Sequence, residues 1–100
     1  MSQTAALQAR VTEARNKIVQ YTREKNNWNS ELTLLQQKAA SLFYQGGGQD
    51  ATIAQNQMSN YVAQQEYIFN QQIAKCNTNI SIFQNLKNDY ENQLNNIGDL

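Results

Sequence analysis

The sequence has no proline and no histidine, a single cysteine, and four glycines, three of them consecutive. Without proline, nothing interrupts a helix through a missing amide donor. The run Gly46-Gly47-Gly48 is then the one stretch that clearly forbids a continuous helix. Adjacent glycines lose the most backbone entropy on ordering and accept positive φ without steric cost, so they end a helix and let the chain reverse. Gly46 suits the left-handed position just past a helix, and Asp50 is expected to cap the next one, which opens with Ala51-Thr52-Ile53-Ala54. No strand pattern precedes the glycines and no Lys-Ser/Thr follows them, which speaks against a phosphate loop.

The missing histidine also narrows the chemistry. Neither the common metal-ligand sets nor the Ser-His and Cys-His nucleophile pairs can be assembled from this chain. The carboxylates are dispersed. Only Asp89 and Glu91 are near neighbours, and they point about 200° apart around a helix. The reading is therefore a non-enzymatic protein with no cofactor or metal site. Cys76 has no internal disulfide partner and falls on an apolar stripe between Ile73 and Ile80, which predicts a buried small hydrophobe.

Charge is scarce too, at 16 charged residues against 15 Gln and 14 Asn. Residues 1–45 carry six Lys/Arg and three Glu, whereas residues 46–100 carry two Lys and five Asp/Glu. Arms of opposite sign favour an antiparallel pairing, and neither holds the dense basic run that nucleic acid or anionic lipid requires. No stretch is long and apolar enough for stable membrane insertion. The segment Met1-Ser2-Gln3-Thr4-Ala5 lacks the flank and apolar core of a cleavable signal, so the expected location is the cytoplasm or, after export by a signal-independent machine, outside the cell.

What the sequence does contain is a sustained seven-residue rhythm. On the first arm Leu7, Val11, Ala14, Ile18, Tyr21, Lys25, Trp28, Leu32, Leu35, Ala39 and Leu42 alternate steps of four and three. On the second, Phe69, Ile73, Cys76, Ile80, Phe83, Lys87, Tyr90, Leu94 and Ile97 do the same. Such narrow seams predict helices supercoiled against a partner. Fold class is all-α, an antiparallel two-helix coiled-coil hairpin completed by oligomerisation or a partner helix. A single domain is expected, with one helix at about 4–44, a turn at 45–50 and a second helix at about 51–97. Between Ile53 and Ile68 the seam drifts, since Met58, Tyr61, Val62 and Tyr67 fall on no one line.

Folding at the glycines sets residue i opposite residue 95 minus i. Trp28 is then expected near Tyr67 and Phe69, with Tyr21 one heptad away in the same aromatic belt. Ile68, Ile82 and Leu86 lie beside the strict seam and widen it beyond what one narrow partner covers. These three form the expected partner interface, for a second copy or for another helical protein.

The layout resembles the small Trp-x-Gly proteins of type VII secretion, which form antiparallel helical hairpins with an aromatic-x-Gly motif at the turn. The corresponding residues are Tyr44-Gln45-Gly46, with Tyr44 in the tryptophan's place and the chain's one Trp, Trp28, well inside the first arm. The family's Tyr-x-x-x-Asp/Glu export signal has no counterpart, as Tyr90 is followed four residues later by Leu94. The resemblance implies an exported hairpin subunit. The chain is also similar in outline to needle and filament subunits of type III secretion, without their proline-bearing turn, and to small cytosolic coiled-coil adaptors and chaperones of export systems. Each implies protein partners rather than substrates.

Overall fold

The structure, a computed structural model, describes residues 2–43 and 49–98. It is an all-α helical hairpin of two helices packed against each other, α1 (Gln3–Phe43) and α2 (Gln49–Gly98). α1 is rich in Ala, Leu and Gln, which lose little side-chain freedom in a helix, α2 is rich in Gln and Asn, and both lack proline. Ser2 starts α1. Its hydroxyl oxygen accepts from the Ala5 amide at 3.1 Å, satisfying one of the free amides of the first turn, and its carbonyl accepts from the Ala6 amide at 3.2 Å.

The residues expected to make the turn, Tyr44, Gln45, Gly46, Gly47 and Gly48, lie outside the described residues. Asp50, expected as a cap, is instead already inside α2, because that helix begins at Gln49 rather than near residue 51. Leu42 belongs to α1; its side chain is outside the described set.

The chain divides into two compact units, each built from a piece of both helices. The terminal unit comprises Met1–Lys25 with Lys75–Leu100, and the central unit comprises Asn26–Ala74.

In the terminal unit the two pieces run antiparallel over a seam whose buried members are Leu7, Val11, Ala14 and Cys76. Burying a Leu or Val fully contributes about 1.5–3 kcal/mol. Ala14, only 3 % exposed, and Cys76 are small, so the larger side chains around them close over both. Ile18, Tyr21, Ile80, Phe83, Tyr90, Leu94 and Ile97 are half-buried along the same line. The facing pairs differ from the expected register. Arg10 meets Tyr90 rather than Asn85, Arg15 meets Glu91 rather than Ile80, and Tyr21 stacks on Phe83 rather than lying against Ala74. Helical side chains lean toward their own N-terminus, in opposite directions on antiparallel helices. Two of them touch only when both start nearer their own C-termini than a backbone count suggests.

In the central unit Trp28 and Phe69 are in contact, with centroids 5.5 Å apart and planes tilted by 39°. Tyr67, expected beside Trp28, is exposed, and its hydroxyl accepts from Gln71 Nε2 at 2.7 Å. Ala39 is buried; Leu32, Leu35 and Ile73 are half-buried. The half-buried positions of α2 here are Gln55, Met58, Val62, Gln65, Glu66, Phe69, Gln72 and Ile73. A three-four rhythm thus continues through the drifting stretch, but amides and one carboxylate hold several of its places.

Candidate functional site

The terminal unit fastens its flanks with polar groups. On one side Arg15 Nη2 donates to Glu91 Oε1 at 3.3 Å, and Lys87 Nζ approaches the same oxygen at 3.7 Å. Lys87 is the polar interruption of the second seam; half-buried, it runs its stem along apolar neighbours and brings its charge out to Glu91. On the other side the Arg10 guanidinium lies 5.7 Å from the centroid of the Tyr90 ring, a cation–π contact. Tyr21 and Phe83 stack at 5.9 Å with 17° between their planes. Two open grooves follow these flanks. One, of about 550 Å³, is lined by Gln8, Val11, Thr12, Arg15, Glu91, Leu94 and Asn95; the other, of about 320 Å³, by Arg10, Glu13, Ala14, Phe83, Leu86 and Tyr90.

Cys76 sits buried in this seam as a free thiol. Desolvation pushes its pKa above the ordinary 9.0, the negative field of Glu24 adds to the rise, and Lys25 opposes it. A protonated, covered thiol is a poor nucleophile and a poor ligand. Among the described residues no group of His, Cys, Asp and Glu could hold a metal ion, and no helix is long and apolar enough to cross a membrane.

The central unit is different in kind. Leu34 is 49 % exposed, Ile53 53 %, Tyr61 54 % and Ile68 43 %, and Tyr67 is more exposed still. Leu34 and Tyr61 border a shallow cavity of about 150 Å³ with Leu35, Phe69 and Gln65, edged by Glu31 and Lys38 of α1.

Of the expected interface residues, Ile68 is exposed in the central unit and Ile82 in the terminal unit, whereas Leu86 is half-buried and lines the groove that Phe83 and Tyr90 also border. Sequence reasoning passed over Leu34 and gave no outward role to Ile53 or Tyr61. The signal for Leu34 was the pair Leu34-Leu35, since adjacent helical residues point about 100° apart and only one can enter a narrow seam.

No protein-family model, no curated protein and no solved structure matches the chain. The functional reading rests on the surface itself. In the central unit that surface sets exposed apolar side chains among amides.

Proposed function

We propose that this chain is a non-enzymatic assembly subunit, a hairpin whose two seams pack as a coiled coil and whose central unit docks a further helical protein surface. The observation that carries the reading is the uncovered set Leu34, Ile53, Tyr61, Tyr67 and Ile68. Soluble monomers rarely leave large apolar patches in water. The surrounding surface supports it as well. Residues 51–74 contain one charged residue, Glu66, and amides desolvate at lower cost than ions when a partner arrives.

Within that class, the reading extends to an exported hairpin subunit of a signal-independent secretion system. Its support is the resemblance to the Trp-x-Gly proteins carried by Tyr44-Gln45-Gly46 and by the two-helix layout. The experiment is fractionation of the native source combined with crosslinking in cells. An exported subunit appears in the medium or in a surface structure with its N-terminus uncleaved, and Tyr44→Ala reduces its export. Retention in the cytosol with a soluble partner replaces this extension by the adaptor or chaperone reading. A chain that crosslinks to no protein, itself included, overturns the assembly reading altogether.

A further inference from the structure

We infer that the partner of the central unit is a second copy of this chain, docked α2 against α2 in antiparallel fashion about a two-fold axis beside Tyr61. This rests on the assembly reading above and names its partner. Two observations converge on it.

The first is spacing. Ile53, Gln57, Tyr61, Gln64 and Ile68 follow one another at steps of four, four, three and four and are all exposed. At about 100° per residue they share an arc of about 80°, a single stripe on the outer side of α2. The stripe reads nearly the same in reverse. Turned about a point between Asn60 and Tyr61, it sets Ile53 opposite the second copy's Ile68, Gln57 opposite its Gln64, and the two Tyr61 rings side by side at the centre. A two-fold contact demands such self-complementarity, because one patch must serve both sides.

Charge is the second. Residues 51–65 contain no charged side chain, and Glu66, next in line, is half-buried on the seam side. Self-pairing therefore sets no like charges of this stripe against each other, and the α1 residues that edge the cavity beside Tyr61, Glu31 and Lys38, are of opposite sign. A strongly charged partner would lose hydration against the stripe.

A large tyrosine at the centre with aliphatic residues on either side also suits the layout of an energetically dominant cluster.

Sedimentation equilibrium of the full chain tests this. The wild type is expected to dimerise, and Tyr61→Lys to weaken dimerisation by about thirtyfold or more while helix content stays unchanged, since Tyr61 is exposed. Ile53→Lys alone is expected to weaken it as well. Adding Ile68→Glu to the same chain is expected to restore it to within about tenfold of wild type, because the two positions face each other across the axis. Oxidation of Tyr61→Cys should give a covalent dimer, while Val19→Cys, exposed in the terminal unit, should not. A wild type that stays monomeric at about 0.5 mM overturns the inference, and leaves the assembly reading to the crosslinking experiment above. A dimer indifferent to Tyr61→Lys also overturns it, with assembly itself upheld.

Discussion

Of the five buried apolar side chains among the described residues, four (Leu7, Val11, Ala14, Cys76) belong to the terminal unit and one (Ala39) to the central unit. Of the seven large apolar side chains left exposed, two (Val19, Ile82) are in the terminal unit and five in the central one. The same two helices build both regions, so secondary structure does not explain the difference. Side-chain choice along the seam does. In the terminal unit the seam pairs small residues with rings and branched chains, and its flanks are fastened by Arg10 over Tyr90 and by Arg15 and Lys87 on Glu91. In the central unit Gln55, Gln65 and Glu66 take inward places, while Ile53, Tyr61 and Ile68 are turned outward. One region spends its apolar residues on holding the hairpin together and the other leaves them exposed.

The largest effect expected from this contrast comes from truncating one leucine in each region. Leu7→Ala removes a buried side chain and is expected to lower the stability of the chain by about 2–3 kcal/mol in urea melts followed by circular dichroism. Leu34→Ala, made at low protein concentration where no partner is bound, is expected to change it by no more than about 0.5 kcal/mol. Equal losses would erase the distinction between a closed and an open unit.

A smaller effect separates the two aromatic pairs. Phe83→Leu keeps most of the buried volume but removes the stack on Tyr21, and Phe69→Leu does the same to the contact with Trp28. Double-mutant cycles with Tyr21→Leu and Trp28→Leu are expected to give coupling of about 0.5–1.5 kcal/mol for each pair. A cycle that closes to zero would show that its rings contribute area alone.

Smaller again is the ion pair. Arg15 and Glu91 are solvent-exposed, so Arg15→Ala is expected to cost between about 0 and 1 kcal/mol, less at high salt. A larger, salt-independent loss would mean that Arg15 acts through its packing.

The smallest effect is a pH dependence at Cys76. Its folded pKa is raised, so the unfolded thiol ionises first. The stability it contributes is fully present below the unfolded pKa and is lost as pH rises through the folded one. The difference in urea midpoint between wild type and Cys76→Ala should stay constant up to about pH 8.5 and shift against the wild type above it. A difference that moved the other way with alkali would place Cys76 outside the seam.

Much of the fold was legible because a seven-residue rhythm reports which face of a helix is covered. Leu7, Val11, Ala14 and Cys76 were read as inward from spacing alone, and all are buried. The register was not legible in the same way. A backbone count placed Ala74 against Tyr21, whereas the lean of long side chains along their helices brings Phe83 there. The open face was legible only in part. Ile68 and Ile82 stood out because they lie beside a strict line, but Ile53 and Tyr61 fall where the line drifts, and an outward stripe cannot be recognised until the inward one is fixed. Leu86 is the intermediate case: its place beside the seam made it a candidate for a partner, and it is half-buried in a groove that Phe83 and Tyr90 also line.

Native-state amide hydrogen exchange, followed residue by residue at low and at high protein concentration, tests the contrast between the two regions most directly. The account predicts that amides of residues 7–25 and 76–94 are the better protected at low concentration, and that protection across residues 53–68 rises with concentration while the terminal unit stays as it was. Protection of residues 53–68 that is already maximal in dilute solution and indifferent to concentration would contradict it.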